Sequence, residues 1–290
     1  MNTTTRIAIL GYGNIGRAIE QAVAQAGDMT LTGIYHHNEI NSIQAEDTDV
    51  VLLGVPSREV PQNIEQLFAK GLNTVDSFDI HNRIPAVRQQ IKDLAKKAHT
   101  VSVLSAGWDP GSDSVVRCLM QAMMPQGLTY TDFGPGRSMG HTVAARSIKG
   151  VKDALSMTIP LGTGIHRRMV YVELEQGADF ETVKEAILAD DYFVHDETHV
   201  IQVPDVQALN NVAHGVHLVR NGVSGSTHNQ RMELNMTINN PALTGQIMVS
   251  CARAAKRMAD CQQWGCYTMI ELPPVSLLEG EADYWIQQLV

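Results

Sequence analysis

One segment, RIAILGYGNIG over residues 6–16, constrains this chain more than any other. An apolar, β-rich run (Arg6–Leu10) enters Gly11-x-Gly13-x-x-Gly16, and an Ala-rich amphipathic pattern, Ile15–Ala26, follows at once. Strand, glycine turn and helix in that order open a βαβ unit. There the first glycine permits the tight turn, the second lets a pyrophosphate approach the backbone, and the third lets helix and strand pack closely. The helix start adds N–H groups and a partial positive charge. Gly11, Tyr12, Gly13, Asn14, Ile15 and Gly16 are therefore expected to bind a dinucleotide.

The pattern continues through the first half. Thr30–Tyr35, Val50–Val55, Asn73–Ser77 and Thr100–Ser105 read as strands, and Asn63–Lys70 and Pro85–Ala98 as helices. Alternation of this kind predicts a Rossmann-type, doubly wound parallel sheet. Beyond Cys118 longer β patterns appear (Ala154–Pro160, Met169–Glu175, Arg231–Ile238), with a helix at Phe180–Leu188 and another at Pro241–Met258. Cys266–Leu272 has a period-two pattern, read as a last strand or extended segment. The fold class is α/β with a second α+β domain, the change of character falling near Cys118. The cleft between two such domains is the default site.

In a doubly wound sheet, ligands meet the carboxyl ends of strands. After the second strand stand His36 and His37, with no acid before Glu39. An NAD site usually places Asp or Glu there for the ribose 2′-hydroxyl, whereas paired histidines suit a 2′-phosphate. The pattern points to NADP, with NAD left open. Val55-Pro56-Ser57-Arg58 follows the third strand and is expected near the cofactor; Arg58 reads equally as a solvated helix start. Ser77, Phe78 and Asp79 follow the fourth strand, and Trp108 and Asp109 the fifth. Asp113 and His81 read as helix-start and turn residues.

Composition excludes several classes. Lys plus Arg number 22 against 31 Asp plus Glu, a net charge of −9, which disfavours nucleic acid and anionic membranes as partners. No apolar run approaches the roughly 18–20 residues of a membrane span. The amino-terminal stretch lacks the apolar core of a secretion signal, so a cytoplasmic setting is expected. Cys118, Cys251, Cys261 and Cys266 contain no Cys-x-x-Cys and read as reduced thiols. His214-x-x-His217 has helix-like spacing without an evident third ligand, so no metal is expected.

GYGNIGRA, VDSFDIHNRIP, SAGWDPG, DFGPGRSMGH, NVAHGVH and INNPALT follow one another along the chain. In sequence and order, from Arg6 to about Glu271, they resemble the meso-diaminopimelate dehydrogenase family. DFGPGRSMGH, with TVA after it, is most similar to its shorter, broader-specificity branch. The resemblance implies reversible, NADP-dependent oxidative deamination at the D-configured carbon of meso-2,6-diaminopimelate, a homodimer, and a place in lysine and cell-wall precursor supply. It also implies a discontinuous first domain: residues 1–118 bind the dinucleotide, completed by about 250–290, and 119–249 form the substrate and dimerisation domain. It implies carboxylate binding by Arg168, Thr158 and the backbone of Met139 and Gly140. His214 and Asn240 would hold the distal end of the substrate, and Trp108 would wall the pocket. Asp79 and Asp109 would accept from the ammonium at the reacting carbon. For the positioned base, Asp109 stands first and Asp79 second. Arg137 is unusual inside FGPG-x-S. His36 and His37 stand where some members carry paired arginines. His141 and His228 read as polar members of the domain core.

Hydride can leave the D-carbon only when the attached amine is neutral, and a free ammonium has a pKa of about 10. Oxidation is therefore expected to quicken toward alkaline pH. Two rivals stand beside this reading. One is a related D-amino acid dehydrogenase with another preferred substrate; the other is a non-catalytic dinucleotide-binding sensor.

Overall fold

The computed structural model describes residues 4–209 and 213–290, in two compact units: Met1–Cys118 with Pro241–Val290, and Leu119–Asn240. The first two residues of the NVAHGVH motif, Asn211 and Val212, lie outside the described residues.

The first unit opens with β1 (Thr5–Leu10), α1 (Asn14–Gln25), β2 (Met29–Tyr35) and β3 (Val50–Leu53). It continues with α2 (Val60–Phe68), β4 (Asn73–Asp76), α3 (Ile84–Ala98), β5 (Val101–Val103) and the start of α4 (Ser112–Met123). In the second unit come β6 (Gln126–Phe133), β7 (Gly136–Arg137), α5 (Met139–Arg146), β8 (Val151–Gly162), β9 (Ile165–Leu174) and α6 (Phe180–Leu188). It ends with β10 (Glu197–Gln202), β11 (Ala213–Ser224) and β12 (Thr227–Asn239). The chain then returns to the first unit through α7 (Asn240–Asp260), β13 (Gly265–Tyr267) and α8 (Ala282–Leu289).

Six strands form one sheet in the order β13-β5-β4-β3-β1-β2, and every recorded pairing is parallel. Such strands are covered on both faces, which explains why VVLL and RIAIL are continuous apolar runs. On one face Ile7, Ile9, Val50, Leu52 and Val75 pack with Ile19 and Val23 of α1 and with Met248, Val249, Cys251 and Ala252 of α7. On the other, Ala8, Leu10, Val51 and Leu53 pack with Ile64 and Leu67 of α2 and Val87 and Ile91 of α3. Because α7 buries Met248 and Val249 in this core, the return to the first unit comes at Pro241, earlier than the expected residue 250. The expected strand Cys266–Leu272 is also shorter. β13 ends at Tyr267, and a 3-10 turn, Met269–Glu271, follows, with Glu271 Oε2 accepting from the Thr268 N–H at 2.9 Å.

The second unit holds a four-stranded sheet, β10-β9-β8-β7, and an antiparallel three-stranded sheet, β12-β11-β6. The β8–β9 hairpin packs Ala154, Val170 and Val172 against Ala144 and Ala145 of α5 and Val183 and Ile187 of α6.

Candidate active site

The glycine loop divides its labour by position. Gly11 has φ +92°, and a Cβ there would stand 2.7 Å from the Gly54 carbonyl oxygen; one on Gly16 would meet the Gly11 oxygen at 2.2 Å. Around Gly13 a Cβ would meet nothing within 4 Å, so the mouth of the loop is open. Gly13 caps α1 without a side chain, and the first turn carries no acid. An open backbone at a positive helix end fits a pyrophosphate.

After β2, His36 and His37 are both exposed. Glu39, the nearest acid, is committed elsewhere: its Oε2 accepts from the His36 backbone N–H at 2.7 Å. The stretch before β3 carries one 3-10 helix, His37–Ser42. Val55 and Ser57 are half-buried, while Pro56 and Arg58 are exposed.

The ends of β3, β4 and β5 are tied to one another. Ser57 Oγ donates to Asp79 Oδ1 at 2.6 Å and accepts from the Asp79 N–H at 3.1 Å. Asp76, fully buried at the end of β4, accepts from the Phe78 N–H at 2.9 Å and the Ser105 N–H at 3.2 Å with one oxygen, Oδ1. Its backbone oxygen accepts from Ala106 N–H at 2.7 Å. Burial pushes the Asp76 carboxyl up to about 7, against the pull of the Phe78 and Ser105 N–H groups. In sequence Asp76 reads with Ser77, Phe78 and Asp79 as a strand-end residue able to reach cofactor and substrate; its carboxyl is instead turned onto the Phe78 and Ser105 N–H groups. Ser77 is half-buried. The Phe78 ring is fully buried in the core with Leu53 and Leu104, so only its backbone is left to meet a cofactor there.

Trp108 is buried and Asp109 half-buried. One guanidinium spans two acids here: Arg117 Nη2 lies 3.1 Å from Asp109 Oδ1 and 3.0 Å from Asp113 Oδ2. The Asp113 carboxyl is held far above the usual carboxylate range by burial and then by the charge of Asp109. His81 Nε2 stands 4.0 Å from Asp109 Oδ2.

In the second unit, Thr158 on β8 pairs across the hairpin with Arg168 on β9, and Arg168 Nη1 donates to the Thr158 hydroxyl. Arg168 Nε donates to Asp196 Oδ2 at 2.6 Å. No local pattern marked Asp196, which precedes β10. Met139 and Gly140 open α5 after Ser138, where first-turn N–H groups lack intrahelical acceptors. Thr158 and His214 are buried; Asn240 is buried as well and donates through Nδ2 to the Arg137 carbonyl at 3.2 Å. Arg137 is itself buried, which lowers its pKa. His141 sits edge-on to Tyr192 and Phe193, with Nδ1 2.8 Å from Ser138 Oγ, whereas His228 is exposed and outside any core.

His214 and His217 lie on β11 rather than on a helix, so a spacing of three turns them to opposite faces. His214 is buried and His217 pairs with Glu233. Among the described residues no group of three metal-capable side chains exists. Cys251 and Cys266 are buried, and burial raises both thiols, the latter to about 12, which disfavours the thiolate form.

A Meso-diaminopimelate D-dehydrogenase of Bacteroides fragilis is 52% identical over 98% of this chain and 99% of its own. The chain belongs to the meso-diaminopimelate D-dehydrogenase family. A second member, from Lysinibacillus sphaericus, is 33% identical over 92% of this chain and 94% of its own. Residues 107–166 match the family model described as the diaminopimelic acid dehydrogenase C-terminal domain, a segment that contains Trp108, Asp109, Met139, Gly140 and Thr158. Among solved structures, an engineered D-amino acid dehydrogenase bound to NADP+ superposes with a TM-score of 0.92 at 29% identity, covering 99% of this chain and all (100%) of that one. The C. glutamicum DAP dehydrogenase in complex with DAP gives 0.88 at 30% identity with the same coverage, 99% and 100%. In this member of the meso-diaminopimelate D-dehydrogenase family, Asp79, Trp108, Asp109, His214 and Asn240 stand within the quoted motifs, and Arg168 stands outside them on β9.

Proposed function

We propose that the chain is an NADP-dependent meso-diaminopimelate D-dehydrogenase. It deaminates meso-2,6-diaminopimelate reversibly at the D-centre, giving L-2-amino-6-oxopimelate, ammonia and NADPH. The full-length identity to the Bacteroides fragilis relative carries this reading. Among the described residues no helix is long and apolar enough to cross a membrane. The four cysteines are free, in keeping with a reducing cytoplasm.

NADP would lie at the glycine loop, with its pyrophosphate against Gly13 and the start of α1. The exposed His36–His37 pair faces a 2′-phosphate better than a 2′-hydroxyl, since Glu39 is spent on its backbone bond. When bound, NADP+ accepts the hydride. The Ser57–Asp79 pair lies at the same strand ends and serves cofactor and substrate together.

A zwitterion with two carboxylates and two ammonium groups needs donors and acceptors at both ends. Arg168 offers a guanidinium fork to a carboxylate, with Thr158 and the Met139 and Gly140 N–H groups beside it. His214 and Asn240 take the distal end. Asp79 and Asp109 accept from the ammonium at the reacting carbon, and Trp108 walls it. Asp109 takes the proton that leaves the amine neutral, nitrogen then pushes into a C=N bond as hydride departs, water adds to that carbon, and the C–N bond breaks to release ammonia.

Oligomerisation belongs to the second unit. β12 is an edge strand of its sheet, and Met232, Leu234, Met236 and Ile238 line one half-buried face of it. A two-fold pairing would cover that edge and face, so a homodimer is the assembly expected.

Initial rates with meso-diaminopimelate and a panel of D-amino acids, each with NADP+ and NAD+, test the reading. Turnover of meso-diaminopimelate with NADP+ supports it. A faster D-amino acid substrate reassigns it to a related dehydrogenase, and no turnover with either cofactor leaves only a dinucleotide-binding protein.

A further inference from the structure

Asp113 lies on the first turn of α4 with a fully buried side chain (0% exposed), and the Asp109 side chain keeps only 12% of its surface in water. Two carboxylates therefore share a single guanidinium, Arg117 Nη2, at 3.0 and 3.1 Å. The other groups on the pair are few. Ser114 Oγ donates to Asp113 Oδ1 at 3.4 Å, and His81, from the turn before α3, approaches Asp109 Oδ2 at 4.0 Å. Taken as two ionised acids, Asp113 and Asp109 have only acceptors to offer one another. Like charges set on one guanidinium nitrogen in a desolvated place repel each other, which favours a proton on one of them.

We propose that Asp109 and Asp113 hold one proton between them, and that Asp113 is the positioning residue that governs how readily Asp109 takes a proton from the substrate ammonium. The proposal rests on the reading of Asp109 as the acid–base group. With Asp113 protonated, its O–H donates to the Asp109 carboxylate, and together with Arg117 it leaves Asp109 a weak base that binds the ammonium as an ion pair. As pH rises and Asp113 ionises, that donor is lost, a second negative charge faces Asp109, and Asp109 becomes the stronger base. In turnover the ammonium N–H bond breaks and its proton passes to Asp109. The pair then carries one proton more than at rest, until solvent removes it. The elevated carboxyl of Asp113 has the sense this sharing requires.

The test uses full-length native enzyme and Asp113→Asn, with Asp113→Ser as a second variant that keeps a small polar side chain but carries no carboxyl. Carbon-13 NMR of enzyme labelled at the aspartate carboxyl carbons reads the proton directly. A carboxyl titrating well above the usual carboxylate range should be present in native enzyme and missing from both variants. The raised Asp76 signal remains as an internal control. Kinetics read its consequence. The ratio of kcat/KM for oxidation, variant to native, should fall as pH is raised, because only native enzyme gains the second charge; the titration of the substrate ammonium cancels in that ratio.

A ratio that stays flat across the pH range overturns the proposal, and so does a native spectrum in which no carboxyl besides Asp76 titrates high. If native enzyme turns over no meso-diaminopimelate while the elevated signal still disappears with Asp113, the functional reading and the kinetic role fall and the shared proton stands.

Discussion

Ser57 and Asp79 grip one another twice, the hydroxyl donating to the carboxylate at 2.6 Å and accepting from the Asp79 backbone N–H at 3.1 Å. One short pair thus fixes both the carboxylate of Asp79 and the loop that carries it, joining the ends of two neighbouring strands. Ser57→Ala removes both bonds and loosens the hold on Asp79 and its loop. A neutral or charge-assisted hydrogen bond contributes about 1–3 kcal/mol, so kcat/KM for meso-diaminopimelate should drop roughly 5- to 150-fold. Stability should change little, because Ser57 is at the rim of the sheet. Steady-state kinetics beside a thermal melt check this; an unchanged kcat/KM would detach the pair from substrate binding.

Arg168 is oriented by two partners, Thr158 on the paired strand and Asp196 at 2.6 Å. Arg168→Lys keeps the charge and loses the planar fork, which is not a conservative change at a bidentate site. KM for meso-diaminopimelate should rise about 10-fold or more, with kcat less affected, since the interaction is made to ground state and transition state alike. Asp196→Asn should give a smaller rise of the same kind by loosening the guanidinium. Equal losses in kcat and kcat/KM would place Arg168 in the chemistry instead of in binding.

His36→Ala together with His37→Ala tests the cofactor reading. Two side-chain donors are lost just after β2, so on the proposed reading KM for NADP+ should rise roughly 10-fold while KM for NAD+ stays within about twofold. The measurement is a pair of cofactor saturation curves at one substrate concentration. Equal effects on the two cofactors would remove the histidines from 2′-phosphate recognition.

Much of this was legible in the sequence, and the failures have physical causes. The parallel sheet was readable because each of its central strands is buried on both faces, so VVLL and RIAIL are unbroken apolar runs, and because the glycine loop carries steric demands that few residues satisfy. β11 was not readable. Its register is set by β12 and β6 on either side, a tertiary fact, and its His214-x-x-His217 spacing imitates a helix while the strand sends the two rings to opposite faces. Asp196 reaches Arg168 across 28 residues of sequence, with no local pattern to announce it. Asp113 presented itself as a helix-start acid, which it is; only its burial against Asp109 and Arg117 gives it a second character.

The last prediction concerns Asp76 and follows from its proton. Burial raises this carboxyl from an ordinary 3.8 to about 7. Between those two values the folded chain keeps a proton that the unfolded chain has released, so the stability contributed by this group falls as pH rises through that window and levels off above it. Across about three units at 1.36 kcal/mol each, the loss is on the order of a few kcal/mol. Asp76→Asn has no such proton to lose. Its amide can still accept from the Phe78 and Ser105 N–H groups, while its buried NH2 costs about 1–3 kcal/mol if it finds no acceptor. The absolute stability of the variant therefore reflects two opposed effects, but its pH dependence reflects one. Measured by denaturant unfolding, the stability of Asp76→Asn relative to native should rise steadily from about pH 4 to pH 7. A difference that stays constant over that range would mean Asp76 is ionised in the folded protein like any exposed aspartate, and that the clamp on the β4 and β5 ends holds a charge instead of a proton.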